Sequence, residues 1–326
     1  MKKLLKKGAG VILSIAMVIS SMTSTGAVNV QAASQGITIS EAAGYAEGAY
    51  AEFRTGLSAT GYNAYVKKAS ESNSSYVKLD NELIRKYPNC IRVDAVGLAA
   101  GDYIIKIVPV YDGTEKASEA CVSETLNVYS HDRTGFAWVN GTASGAYKED
   151  GTLKPNSIVL YVTEETKDKV TLNINGDKGF SNYVGIQNIL NAYKKGKDSR
   201  SLDIRIIGQI TDLAVLDKGD LLVDGNKEGL TIEGIGEDAV IDGFGIRVKG
   251  SDNVEIRNLG IMNVNSSEGD NIGLQQNNTH IWVHNCDFFY GDAGSDADQV
   301  KGDGALDTKT STYITHSYNH FSAYTD

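Results

Sequence analysis

Four short stretches in the second half of the chain limit what it can fold into: "LTIEGI", "VEIRNLGI", "IWVHNCDF" and "ITHSYNHF". In the second, Val254, Ile256, Leu259 and Ile261 stand at positions i, i+2, i+5 and i+7, and in the third Ile281, Val283, Cys286 and Phe288 repeat those offsets. The first stretch places Leu230, Ile232 and Ile235 at the first three positions, and the last fills all four with Ile314, His316, Asn319 and Phe321. The stretches start at Leu230, Val254, Ile281 and Ile314, so the spacing grows through 24, 27 and 33 residues. A fixed inward pattern at a growing interval predicts one solenoid coil per unit, with loops inserted on one side. The expected class is all-β: a right-handed parallel β-helix whose coils each add apolar side chains to a continuous core. An ordinary sandwich with fortuitous periodicity is the alternative.

Upstream, Ile186, Ile189, Leu190 and Tyr193 in "GIQNILNAYKKGK" follow helical i, i+3, i+4, i+7 spacing, and lysines trail where the helix dipole favours them. A helix over 184–195 is expected to cover the open end of the solenoid. Residues 34–128 carry short alternating runs between Gly, Ser and Asn clusters, which predicts a small β-sandwich ahead of the solenoid at 131–326. The chain opens with four lysines in seven residues, an apolar stretch and the small-residue exit "VQA", the pattern of a secretory signal peptide over 1–32. Its apolar run is shorter than the roughly 20 residues a membrane span needs. The expectation is a secreted, extracellular protein with no membrane association once the signal is removed.

The formal charge is −10, with 41 acidic residues against 31 basic ones spread along the chain. That balance argues against nucleic acid as a partner, because phosphate binding needs a basic surface. An anionic ligand would have to be held by something other than net charge, and a divalent cation is the simplest candidate. The three cysteines, Cys90, Cys121 and Cys286, do not make a disulfide scaffold; pairing of Cys90 with Cys121 is left open by spacing alone.

Two acidic pairs stand out. Glu268 and Asp270 in "NSSEGDNIG" project from one face of an extended segment. Asp303 and Asp307 in "GDGALD" precede the next coil, after an insertion that adds Asp292, Asp296 and Asp298. Equivalent positions in neighbouring coils of a β-helix stack at about 4.8 Å, so carboxylates from adjacent coils can meet. Their repulsion is relieved by a hard cation taking several carboxylate oxygens, and Ca²⁺ is the common one outside the cell. Ordinary solvated loop acids are the alternative. His280 and His284 flank Trp282 on one strand, while His316 and His320 fall in the next coil, without a compact His/Cys set that would hold zinc. No "GxSxG" is present, and the apolar surroundings of Cys286 work against a reactive thiolate.

The stretches "LDIRIIGQI", "GLTIEGIGEDAVIDGFGIRVKGSDNVEIRNLGIMNV", "EGDNIGLQQNNTHIWVHNCDFFYG" and "GDGALDTKTSTYITHSYNHF" resemble successive signatures of the pectate lyase family that folds as a parallel β-helix. The resemblance runs from residue 131 to 326. Separately, "DAVGLAAGDYIIKIVPVYDG" resembles the late strands of a fibronectin type III module.

The pectate lyase resemblance implies a carbon–oxygen lyase acting on polysaccharide, cleaving polygalacturonate (pectin) by calcium-dependent β-elimination and working as a monomer when full length. Matched residue by residue, it makes Glu268, Asp270, Asp303 and Asp307 the calcium ligands. His284 stands where the family commonly has Asp. The family's substrate-contacting Lys would fall at or near Asp326 and its basic Arg beyond it, so the resemblance places no catalytic residue in this chain and implies an incomplete β-helix. The alternative is a non-catalytic, calcium-dependent pectate-binding or adhesive β-solenoid.

Overall fold

The computed structural model describes residues 36–289 and 304–322. The stretch read as a signal peptide lies outside the described residues, as do Asp292, Asp296, Asp298, Asp303 and Asp326.

The solenoid is built from parallel ladders that use the repeat seen in the sequence. In the long ladder, Leu230 pairs with Val254, Val254 with Ile281 and Ile281 with Ile314. Ile232, Ile256, Val283 and His316 form the next inward row. A short ladder stacks Ile241, Ile261, Phe288 and Phe321. A third ladder, carried by the strands Asp220–Asp224, Gly245–Lys249, Ile272–Gln275 and Leu306–Thr308, was not legible in the offsets. Its inward residues Leu221, Val223, Ile246, Val248, Ile272 and Leu274 join the same core.

The unit beginning at Leu230 departs from the predicted pattern. Ile232 and Ile241 align with Ile256 and Ile261, so nine steps in one coil match five in the next. The extra residues bulge outward, and Ile235 packs in the core of the N-terminal unit instead of the solenoid. Ala239 faces the solenoid interior.

One residue at each corner of the long strands takes a left-handed backbone. Asn253, His280 and Tyr313 are the second residues of their strands, and Asn258, Asn285 and Tyr318 directly follow the strand ends, with φ between 52° and 58°. Asn tolerates this region best among residues with a Cβ. Asn258 also donates its amide to the Gly234 and Gly236 carbonyls at 2.6 and 2.9 Å, stapling the coil before it.

The helix Ile186–Lys195 closes the N-terminal end, burying Ile186, Ile189, Leu190 and Tyr193. Ile186, Ile189 and Leu190 each contribute roughly 1.5–3 kcal/mol when taken from water. Gln187 does further work from the same face: its amide oxygen accepts the Leu222 N–H at 2.8 Å and its NH₂ donates to the Leu222 carbonyl at 3.0 Å. Backbone groups of the outermost strand of the third ladder are thereby satisfied, which an edge otherwise leaves open.

The N-terminal unit consists of two antiparallel sheets. One joins the strands Ile37–Tyr45, Gly48–Thr55, Ile91–Val96 and Ile84–Lys86; the other joins Leu126–Val128, Gly101–Tyr111, Gly61–Lys68 and Val77–Lys78. Ile37, Phe53 and Val93 from the first meet Val66, Ile105 and Ile107 from the second in one core. No disulfide joins Cys90 to Cys121.

This unit docks on the outer face of the long ladder through buried charge. Outward side chains there alternate in sign across successive coils, Arg205 beside Glu233 beside Arg257. Arg257 pairs with Glu233 at 2.7 Å, Glu255 at 3.3 Å and, across the junction, Glu47 at 3.1 Å. From the other side Arg85 donates to Asp94 and to the Ile235 carbonyl, Arg92 reaches Glu237 at 3.2 Å, and Tyr87 donates to Asp238 at 2.8 Å. Buried charges survive only when paired in this way. No helix among the described residues is long and apolar enough to cross a membrane.

Candidate functional site

The acidic residues sit where the third ladder meets the loops that lengthen from coil to coil. Along its outward row, Leu222, Arg247, Gly273 and Asp307 stand in register. Gly273 carries no side chain beside Asp307, and Asp270 fills the space: its Oδ2 lies 3.1 Å from where a Gly273 Cβ would be. Gly304 opens a second gap. A Cβ there would lie 2.6 Å from Asp307 Oδ1 and 2.8 Å from Asp270 Oδ1. Asp270 is 2 % exposed, whereas the Asp307 side chain keeps 37 % of its surface.

Glu268 is held differently. Its Oε2 accepts a hydrogen bond from Gln275 Nε2 at 3.0 Å, and its Oε1 faces Arg247 Nη1 at 3.9 Å. Arg247 is itself buried, bonded to Asp217 and 3.5 Å from Asp220. Burial raises the Asp220 carboxyl above its ordinary range and the Glu268 charge raises it further, against the pull of Arg247. Lys309, two residues beyond Asp307, pairs with it at 3.3 Å. That hydrogen bond, with the charges of Asp270 and Glu268, holds the Lys309 ammonium above its usual range.

Of the four residues singled out from the sequence, the structure therefore brings Asp270 and Asp307 together and turns Glu268 toward Gln275; Asp303 is outside the described residues. Among the described residues no three His, Cys, Asp or Glu side chains are gathered closely enough to hold a metal ion. Arg247, Gln275 and Lys309 belong to the site and were missed. The one signal for them was the outward register of the third ladder, which the sequence offsets did not expose.

The histidines have structural partners. His284 is fully buried, stacked on Trp282 with ring centroids 3.6 Å apart, and its Nε2 lies 3.1 Å from Glu255 Oε1. His280 stacks on Tyr313 at 4.9 Å and faces Asp252 at 2.8 Å. Burial pushes the Cys286 thiol up to about 12, removing it from nucleophilic chemistry.

A sequence model of the family described as pectate lyase matches residues 122–326. The chain belongs to the pectate lyase family. Its curated relatives include pectate lyase A of Aspergillus niger, 43% identical over 88 residues that make up 26% of this chain and 25% of that protein. A probable pectate lyase A of Aspergillus flavus is 36% identical over 120 residues, 35% of this chain and 34% of the relative. Pectate lyase A of Emericella nidulans is 44% identical over 90 residues, 27% and 26% of the two chains. The chain thus spans about a quarter to a third of the length of these relatives. Among solved structures, a pectate lyase from Bacillus sp. N165 in complex with trigalacturonate is similar at 22% identity and TM-score 0.40, over 60% of this chain and 56% of that one.

Proposed function

We propose that this member of the pectate lyase family is a secreted protein that acts on polygalacturonate by calcium-dependent β-elimination. The observation carrying the reading is the convergence of Asp270 and Asp307 on the gap left by Gly304, in a chain that matches the family over residues 122–326. The proposal includes residues 1–32 as the secretory signal, a right-handed coil, and 34–128 as a fibronectin type III-like module ahead of the lyase unit.

The donor chemistry suits a hard cation, with two of the proposed ligands brought together among the described residues. Asp270 and Asp307 offer carboxylate oxygens from successive coils to one point, and Glu268 and Asp303 complete the proposed ligands; such all-oxygen sets suit Ca²⁺. Held by these carboxylates, a calcium ion would supply positive charge that makes a proton next to a substrate carboxylate easier to remove. β-Elimination breaks the C5–H bond, forms a C4=C5 double bond and expels the glycosidic oxygen from C4. The proton is acidic because C5 is α to a carboxylate. Asp270 is fixed by burial, Gln275 restrains Glu268, and Lys309 supplies a positive charge beside Asp307. No residue of this chain is offered as the base.

Two measurements test the reading together: calorimetric titration with Ca²⁺, and ultraviolet absorbance of the unsaturated product from polygalacturonate. Calcium binding that is lost in Asp270→Asn and Asp307→Asn is expected. Binding undiminished in both variants would overturn the ligand assignment, and calcium-dependent retention of the polymer without product would replace the lyase by a pectate-binding protein.

A further inference from the structure

The outward face of the second N-terminal sheet has a composition at odds with a chain of net charge −10. Tyr65 stands directly between Lys78 on one neighbouring strand and Lys106 on the other. The Lys106 ammonium lies over two aromatic faces at once, 4.5 Å from the Tyr65 ring centre and 4.1 Å from that of Tyr76. Lys67 approaches the Tyr76 ring at 5.4 Å but is itself buried, its ammonium donating to the Glu71 carbonyl at 2.7 Å.

The acids around this row are already engaged. Glu115 accepts hydrogen bonds from Tyr65 and Asn63, which with the charges of Lys78 and Lys106 hold its carboxyl below the usual range. Asp102, further along its strand, accepts from Asn127 at 3.0 Å. Ion pairs and hydrogen bonds to the solenoid run instead through Glu47, Asp80, Arg85, Tyr87 and Arg92. What faces solvent is the exposed Lys78 and the half-buried Lys106, set beside the half-buried rings of Tyr65 and Tyr76.

We propose that this face binds an extended acidic polysaccharide of the polyuronate class, separately from the acidic corner of the solenoid; the choice of polymer rests on the function proposed above. Tyrosine rings present rigid apolar faces to the C–H surfaces of sugar rings, and lysines pair with carboxylates as adaptable point charges. An extended strand surface suits a linear polymer, and the lysine charge on it is complementary to carboxylates without a cation. Its role is to keep polymer near the solenoid: the two surfaces share one chain, so engagement of the first raises the effective concentration at the second.

The test is affinity electrophoresis of the full chain through gels containing polygalacturonate, with excess chelator so that a calcium-dependent site is silent. Retardation is expected, falling at least tenfold in apparent affinity in the double variant Lys78→Glu/Lys106→Glu and weakening with added salt. A Tyr65→Phe/Tyr76→Phe variant keeps the rings and is expected to remain retarded. Thermal melting of each variant confirms the fold. Absence of retardation in chelator, or retardation unchanged by the double charge reversal, would overturn the proposal; so would equal retardation by single-stranded DNA, which would mark a general polyanion surface. Failure of the lyase assay leaves this result untouched, because no calcium and no turnover enter it.

Discussion

Asp270 and Asp307, from successive coils, aim one carboxylate oxygen each at the same point, 2.8 and 2.6 Å from the position a Gly304 Cβ would take. On the proposed calcium reading, Gly304→Ala puts a methyl group where the ion's oxygens converge. Calcium affinity measured by calorimetry is expected to fall at least about tenfold, equivalent to about 1.4 kcal/mol. Unchanged affinity would separate the two aspartates from the metal.

Gln275 restrains Glu268 through a 3.0 Å hydrogen bond inside a largely buried setting. Gln275→Ala removes a bond to a charged group, a class of interaction worth about 1.5–3 kcal/mol. Calcium affinity is expected to drop several-fold or more, alongside a lowered melting temperature. A large loss of stability without a change in affinity would make Gln275 a purely structural residue.

Arg257 is the hub where Glu47 of the N-terminal unit meets Glu233 and Glu255 of the solenoid. Arg257→Met leaves three buried carboxylates short of a partner and is expected to cost about 3–5 kcal/mol. Denaturant unfolding should show this as a shift of one shared transition for both units. Two separate transitions in the wild-type chain would mean the junction does not couple them.

His131 is edge-on to His284 at 4.7 Å and to Trp282 at 5.8 Å. Burial first, then the charges of His284, Arg257 and Arg133, push its pKa far down, so it is neutral in the fold. In the unfolded chain it takes up a proton near its ordinary value of about 6.5. Stability is therefore unaffected above that pH and falls below it, by up to about 1.4 kcal/mol per unit from this group. Glu255 adds to the loss further down: burial opposes its charge, but Arg257 and His284 prevail and hold its carboxyl low, so its contribution disappears as pH falls through the folded value. His131→Phe is expected to flatten the upper part of the profile in denaturant titrations between pH 7 and about 5.

Tyr318 adopts φ 56° at a corner where the two preceding coils use Asn258 and Asn285. Its hydroxyl offers only a 3.5 Å contact to Asp132. Tyr318→Asn is expected to raise stability by a few tenths to about 1 kcal/mol in equilibrium unfolding. A loss instead would show that the ring contributes more than the backbone strain costs.

Much of the solenoid could be read directly because its inward rows obey a local rule. Strand side chains alternate, so Val254 and Ile256 must share a face, and repetition at Ile281 and Val283 implied stacking that the register confirms. The helix Ile186–Lys195 was equally legible, since a buried helical stripe has its own period. Ile235 shows where that rule stops. It satisfies the offset in sequence, yet the residues around it bulge toward a neighbouring unit whose position no local pattern encodes.

The acidic corner divides in the same way. Sequence alone nominated Glu268, Asp270, Asp303 and Asp307, because closely spaced carboxylates in a repeating chain need an explanation. Only the tertiary structure decided that Asp270 and Asp307 converge, that Glu268 turns to Gln275, and that Arg247 and Lys309 stand among them. It likewise decided that Arg205, Glu233 and Arg257 are buried and that Arg257 pairs with Glu47 of the N-terminal unit. The physical reason is range. Alternation and helical period act over a few residues of chain, whereas charge pairing and burial depend on which coils and which units are packed together.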